Sequence, residues 1–500
     1  MNEIETDVVV VGAGPTGLTL AYELALAGVE TLVLEKLPSR NQQTKGGAIH
    51  ARTAELLESR GLLEAMRKRA FPGPPVGANF ALLPVPLDCG AWDTRHPSPV
   101  MLPQWEIEEV LEERATALGA RVRRDAAVTA VEPDDDGVTV TADGGLRVRA
   151  RYVVACDGGR STVRKRLGMP FPGRPGTYLA VLADIRLSAA SPLVPRERGH
   201  ISTLTRRANG YWAMLIPLGD DRYRLTYGHD GGADPAEPTR DTPIGEDEVA
   251  AALRAVYGEE TVLGGVDNSS RFSDATRQVE RYRDGRVLFA GDAAHIHPAL
   301  GAQGLNLGVQ DAFNLGWKLA ATLQGRAPAG LLDSYHAERH PVAARVLHHT
   351  AAQRVLADPD PSEDVAALRD VFIDLMRLPD TNRYLTGLIS GLALRYDVPG
   401  THPLTGRRVP DAELTTADGP TRLSALFGAG HAVLLDVGGL VPDDVTLPGH
   451  VDLVRAKCAT DLGAGVLLLR PDGYVCWAAD DAEGCRAGVL DAVAEHLTTG

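Results

Sequence analysis

Apolar residues along the chain follow two spacings. Unbroken apolar runs, Asp7 to Val11, Thr31 to Leu34, Tyr152 to Cys156 and Arg286 to Ala290, predict strands of a parallel sheet covered on both faces. Longer stretches, Leu18 to Ala27 and about Leu305 to Leu323, carry apolar residues at helical spacing. From Tyr178 to about Phe272 the pattern alternates in patches (TYLAVLADIRL, GYWAMLIPLG, RYRLTYGHD), which predicts antiparallel strands with one covered face. Helices are expected over 328–392, and GTHPLTGRRVPD (400–411) has the composition of a linker. Beyond it, HAVLLD, HVDLVRA, GVLLLR and YVCWA predict four strands followed by a terminal helix. The Pro-rich stretch from Phe71 to Pro103 is expected to add strands and a cavity wall. The fold class is therefore α/β, in more than one domain, as 500 residues require.

Composition narrows the function classes. A net charge of -15 disfavours binding to nucleic acid or to an anionic membrane surface, and the N-terminal apolar run is too short to span a bilayer. Six lysines leave Arg as the main cation. The five cysteines, Cys89, Cys156, Cys458, Cys476 and Cys485, are scattered and lack C-x-x-C spacing, so neither a disulfide framework nor a zinc ribbon is expected. These features point to a cytoplasmic chain.

Three motifs carry chemistry. Directly after the first strand, GAGPTG places Gly12, Gly14 and Gly17 in G-x-G-x-x-G spacing, with Pro15 and Thr16 between them, at the mouth of a helix. Gly12 suits the tight turn, Gly14 lets backbone approach a pyrophosphate, and Gly17 allows helix and strand to pack closely. Glu35, eighteen residues beyond Gly17 at the end of the second strand, is placed to meet ribose hydroxyls. A dinucleotide is implied, and this motif does not separate NAD from FAD. The second motif, CDGGRSTVR, puts Asp157 at a strand end with Arg160 and Arg164 nearby, suited to a pyrophosphate or a phosphorylated nicotinamide. No second glycine fingerprint is present, so a reduced nicotinamide would dock without a domain of its own. The third motif, GDAAHIHPALGAQGLN, brings Gly291, Asp292, Pro298, Gly301 and Gly304 to the start of a long helix. A helix N-terminus there can stabilise delocalised negative charge. The pair His295 and His297 has H-x-H spacing compatible with a metal, but no Cys or further His lies nearby in sequence, and no metal is expected.

In order and spacing, the three motifs resemble the signatures of FAD-dependent class A aromatic hydroxylases of the para-hydroxybenzoate hydroxylase fold. AERHPVA, NRYL and LLLRPDGYVCWA resemble the antibiotic- and polyketide-tailoring branch that includes rifampicin, anhydrotetracycline and angucycline hydroxylases. The resemblance implies a discontinuous Rossmann-type FAD domain (1–75, 101–177, 273–399), a substrate sheet domain (76–100, 178–272) and a thioredoxin-like domain (400–500). It places Gly12, Gly14 and Gly17 on the pyrophosphate and Glu35 on the adenosine ribose. Asp157, Arg160 and Arg164 fall to FAD and the nicotinamide, and Asp292 to the ribityl or pyrophosphate region. Pro298, Gly304, Leu305 and Asn306 fall beside the flavin ring, where Pro298, Leu305 and Asn306 position it and stabilise its charge. Gln104 and Arg52 match further cofactor-contacting positions. Thr44-Lys45-Gly46 stands where relatives carry S-R-A, so Lys45 offers a point charge in place of a guanidinium. Ala302 stands where a glycine is commoner.

The implied reaction consumes NADPH or NADH and O2, and hydroxylates a polycyclic aromatic or polyketide substrate through a flavin C4a-hydroperoxide. Baeyer–Villiger insertion or N-hydroxylation is the alternative on the same scaffold, and a non-oxygenating flavin reductase or flavin-binding module stands behind both. Flat polycycles favour aromatic and thioether surfaces, which singles out Phe80, Trp92, Met101, Trp212, Met214 and Tyr227. Arg206 and Arg207 read as a solvated strand end. No nucleic acid or membrane partner is expected, and the chain is expected to be a monomer or homodimer.

Overall fold

The computed structural model describes residues 4–40, 42, 46–71, 77–229, 242–358 and 360–498. Its largest sheet is built from the predicted runs. Ile4–Val11 pairs in parallel with Thr31–Leu34 on one side and Leu146–Ala155 on the other. Arg121–Arg123 and Val287–Phe289 extend it at either edge, also in parallel. The strand order therefore reverses around Ile4–Val11 and Leu146–Ala155, and in such sheets the crevice at the carboxyl ends of the strands is the ligand site. Helices Pro15–Leu26 and Gln303–Leu323 pack against each other and bury Leu18, Leu20, Leu24, Ala312, Phe313 and Leu315.

The second sheet has five antiparallel strands in the order Thr205–Ala208, Tyr211–Gly219, Arg222–His229, Leu179–Ala189, Val262–Ser273. Along Tyr211–Gly219 and Arg222–His229 successive side chains alternate between its two faces. Ala213, Leu215, Tyr223, Leu225 and Tyr227 pack under helix Glu246–Tyr257, so their neighbours Trp212, Met214, Arg224 and Thr226 turn to the opposite face. The segment around 78–87 adds no strand to this sheet among the described residues. It bridges onto itself through Ala78 and Leu87 and packs with Leu356, Met376, Leu385 and Ile389 of the helices beyond residue 334. Val100–Met101 pairs instead with Ala48–Ile49.

The C-terminal sheet runs Val451–Arg455, Ala432–Asp436, Val466–Leu469, Val475–Ala479, with only the third strand in sequence antiparallel to its neighbours. That is the thioredoxin-like order, with helix Ala482–His496 packed on its last strand. The crossover between the two parallel strands carries no helix. Burial pushes the Cys476 thiol up to about 12, and Cys485 is also buried and raised, so neither is a thiolate at neutral pH.

A buried ionic network seats this sheet on the rest of the chain. Arg470 donates to both carboxylate oxygens of Glu338 (2.7 and 2.8 Å) and to Asp472 (2.6 Å). Lys318 lies 2.9 Å from Glu338. Arg60 grips Glu23 and donates to the carbonyls of Phe427 and Pro471.

Candidate active site

The three motifs converge on one cavity of about 2010 Å³. Two glycines of the loop are required by the backbone itself, and the third faces open space. Gly12 has φ +106°, and a Cβ there would stand 2.5 Å from the Cys156 carbonyl oxygen. At Gly17 a Cβ would lie 2.0 Å from the Gly12 carbonyl oxygen, so helix and loop touch through bare backbone. A Cβ on Gly14 meets no atom within 4 Å, because that position opens into the cavity, lined here by Gly14, Pro15 and Thr16. Glu35 reaches back from its strand end, accepting from Ala13 N (2.8 Å) and Leu37 N (2.9 Å), and it also lines the cavity.

Asp157 caps the helix at Thr162, accepting through Oδ2 from Thr162 N (2.6 Å) and Val163 N (3.2 Å). Its other oxygen, Oδ1, is buried with no donor, and burial pushes its carboxyl upward. His297 is in a similar position. Its Nδ1–H donates to the Pro298 carbonyl (2.8 Å), which leaves Nε2 as a buried lone pair without a donor. Burial lowers its pKa and keeps the ring neutral. Both residues line the cavity, so it presents two unsatisfied acceptors where a polyhydroxyl chain could supply donors. Opposite them, Gly304 and Leu305 open the 21-residue helix Gln303–Leu323, and a Cβ at Gly304 would stand 3.7 Å from His297 Nε2. An FAD-shaped ligand fits this donor and acceptor set.

Several expected contacts lie elsewhere. Arg164 is buried under the loops, donating to Ala293 O and Gly159 O while stacking on Phe171, so it ties the second motif to the third. Arg52 faces away from the cavity, paired with Glu55 (3.0 Å) and donating to Asp472 O of the C-terminal sheet. Gln104 does line the cavity and donates to Glu108. Lys45 lies outside the described residues. Asn306 turns inward: it accepts from His50 N and donates to Ala48 O and Ala302 O, which fixes the start of the helix. Gly291 (φ +60°) and Gly301 (φ +70°) shape turns behind the surface, and Pro298 is buried. Asp292 and Arg160 are exposed on the cavity wall. His295 is fully buried and donates to Asp311 Oδ2 (2.7 Å), which explains this histidine without a metal.

Of the six aromatic and thioether candidates, Met101, Trp212 and Met214 line the cavity. Phe80 stacks on Phe372, Trp92 donates to Arg383 O, and Tyr227 hydrogen bonds to Glu248 beneath the sheet. Tyr178, Arg224, Thr226, Arg354 and Arg369 also line the cavity and were not singled out from sequence. Among the described residues no helix is long and apolar enough to cross a membrane.

The FAD binding domain family matches residues 5–350, and the aromatic-ring hydroxylase C-terminal family matches residues 402–499. The chain is 48% identical to the 12-dehydrotetracycline 5-monooxygenase/anhydrotetracycline 6-monooxygenase of Streptomyces rimosus, over 97% of this chain and 98% of that protein. It is 43% identical to a rifampicin monooxygenase of Streptomyces venezuelae, over 95% and 96%. The solved structure of OxyS, an anhydrotetracycline hydroxylase from Streptomyces rimosus, superimposes with a TM-score of 0.87 at 47% identity, covering 98% of this chain and 99% of that one. One relative, 40% identical over 94% of this chain and 96% of its own length, is named a dialkyldecalin synthase, from Streptomyces rugosporus. Two matched families spanning nearly the whole length, and a glycine loop open to a dinucleotide-sized cavity, agree: the chain belongs to the aromatic-ring hydroxylase family and is an FAD-dependent monooxygenase.

Proposed function

We propose that the enzyme uses NADPH or NADH, FAD and O2 to hydroxylate a polycyclic aromatic or polyketide substrate. The observation that carries this reading is the continuity of the cavity. It runs from Gly14 and Glu35, past Gly304 and Leu305, to Trp212, Met214 and Thr226, and its volume exceeds the roughly 300–1,000 Å³ that one drug-sized ligand occupies. A cofactor and a flat substrate can therefore share it, meeting at the start of the Gln303–Leu323 helix.

In this reading Gly12, Gly14, Pro15, Thr16 and Gly17 hold the pyrophosphate against the first turn of a helix, and Glu35 holds the adenosine ribose. Asp157, Asp292 and His297 receive the hydroxyls of the ribityl chain. When bound, FAD supplies the hydride acceptance and dioxygen activation that no side chain here can provide. The positive end of the helix dipole at Gly304 and Leu305 then stabilises negative charge on the adjoining ring system, with Asn306 and Ala302 fixing that turn. Leu182, Trp212 and Met214 exclude water from the reacting face. The exposed Arg160 is the residue for a nicotinamide phosphate.

The test is anaerobic addition of NADPH or NADH to the yellow holoenzyme, with and without anhydrotetracycline. Bleaching that quickens with substrate is expected, and no bleaching by either nucleotide would overturn the reading. The identity to rifampicin monooxygenase supports a second reading, N-hydroxylation or Baeyer–Villiger insertion into an antibiotic. Mass and NMR analysis of the product separates it from ring hydroxylation.

A further inference from the structure

The wall facing the sheet carries a cation without a counter-charge among the described residues. Arg354, in the last turn of helix Ser334–Leu356, lines the cavity together with Tyr178 and Leu300. Its Nε is buried and has no acceptor, and among the described residues its guanidinium makes no hydrogen bond or ion pair. Two other cavity arginines are matched by carboxylates. Arg224 donates to both oxygens of Asp184 (2.8 and 3.1 Å), and Arg271 donates to both oxygens of Glu248 (2.8 and 2.6 Å). Arg369 lines the cavity as well; its Nε is likewise buried without an acceptor, while Nη2 donates to the Asp358 carbonyl.

The acids at this end do not answer Arg354. Asp358 and Asp360 are exposed to water, Asp358 accepts from Asp360 N, and neither forms an ion pair with Arg354. Tyr178 is half-buried there, and burial, followed by Asp274, pushes its hydroxyl up to about 12, so it stays protonated and can donate. A buried guanidinium N–H without an acceptor is costly, and a ligand that brings an anionic acceptor relieves that cost. The planar fork of Arg matches a negative charge shared by two oxygens.

We propose that Arg354 selects substrates that carry a vinylogous carboxylate, such as an enolised β-diketone or a hydroxyquinone ionised at neutral pH. Its guanidinium binds the charged oxygens at one end of the ring system and so fixes which carbon lies beside Gly304 and Leu305. Arg354 is thus a specificity residue, and the inference rests on the hydroxylase reading above.

The test is equilibrium binding to the FAD-loaded enzyme, read from the flavin spectrum, of anhydrotetracycline, 2-hydroxy-1,4-naphthoquinone and the neutral 2-methoxy-1,4-naphthoquinone. Wild type should bind the hydroxyquinone about 10- to 100-fold tighter than its methyl ether. Arg354→Gln should remove that difference, weaken anhydrotetracycline by a similar factor, and leave FAD content and affinity for the ether unchanged. Arg354→Lys should recover part of the difference. Equal binding of acid and ether by wild type overturns the proposal, as does Arg354→Gln with unchanged affinity for the acids. Failure of the hydroxylase reading shows separately, as flavin that no nucleotide reduces.

Discussion

Replacing Gly14 with Ala should separate cofactor binding from folding. Gly14 has φ -81° and ψ 178°, a conformation open to any L-residue, and an added Cβ meets no protein atom within 4 Å. Restricting the unfolded chain stabilises by about 0.4–1 kcal/mol. Ala is a poorer N-cap than Gly by about the same amount, so the apoprotein should stay within about 0.5 kcal/mol of wild type. The methyl group, however, enters the cavity where we propose that backbone approaches the pyrophosphate. Losing two charge-assisted hydrogen bonds from the first turn costs about 3 kcal/mol or more, over 100-fold in Kd. The assay is denaturant unfolding with and without FAD. At FAD about 1,000 times the wild-type Kd, wild type gains about 4.1 kcal/mol, and a variant 100-fold weaker gains only about 1.4. Gly12→Ala is the contrasting control: with φ +106° and a contact of 2.5 Å to the Cys156 carbonyl, it should destabilise the apoprotein itself. A Gly14→Ala protein that keeps the full FAD increment would refute this assignment of the loop.

Asp311→Asn should lose about 3–5 kcal/mol of unfolding free energy, because fully buried Arg339 loses its charged partner at 2.7 Å; a loss below about 1 kcal/mol would contradict the network. Arg470→Met should cost a similar amount by leaving Glu338 and Asp472 uncompensated, measured by chemical denaturation. Burial, reinforced by His297, Arg345 and His348, pushes buried His349 down to about 3 from 6.5. Its contribution is therefore complete above pH 6.5 and is lost as pH falls, by about 2 kcal/mol between pH 6.5 and 5. His349→Gln should flatten the stability profile over that window. Ala302 is left-handed at φ +52°, so Ala302→Gly should stabilise by about 0.5–1 kcal/mol, relief of strain exceeding the entropy lost.

What sequence revealed and what it hid have physical causes. The glycine loop was legible because Gly12 and Gly17 answer local backbone requirements in the expected spacing, and the neighbouring strands were legible because burial on both faces leaves unbroken apolar runs. Trp212 and Met214 fell on the cavity face, whereas Tyr227 shares its register with Tyr223 and Leu225 and so points beneath the sheet; the alternation within RYRLTYGHD held that signal. Arg164 lies in the second motif and Arg52 beside its partner Glu55, yet each also donates to a carbonyl that only the tertiary fold delivers, Ala293 for Arg164 and Asp472 for Arg52. His295 likewise depended on Asp311, which lies beyond the motif. Arg354 left no trace in sequence, since a basic residue in the last turn of a helix is common for dipole reasons alone. Helix Glu246–Tyr257, missed within an otherwise alternating region, supplies the cover that makes one face of that sheet a cavity wall.

We propose that this cavity joins a bound FAD to a substrate, so that one oxygen atom of O2 passes to that substrate. The most direct measurement is turnover of anhydrotetracycline with NADPH under oxygen-18 gas, followed by mass spectrometry of the product. A single labelled oxygen in the product and NADPH consumption that rises with substrate are expected. A product without label, or substrate-independent NADPH oxidation that releases only hydrogen peroxide, would contradict it.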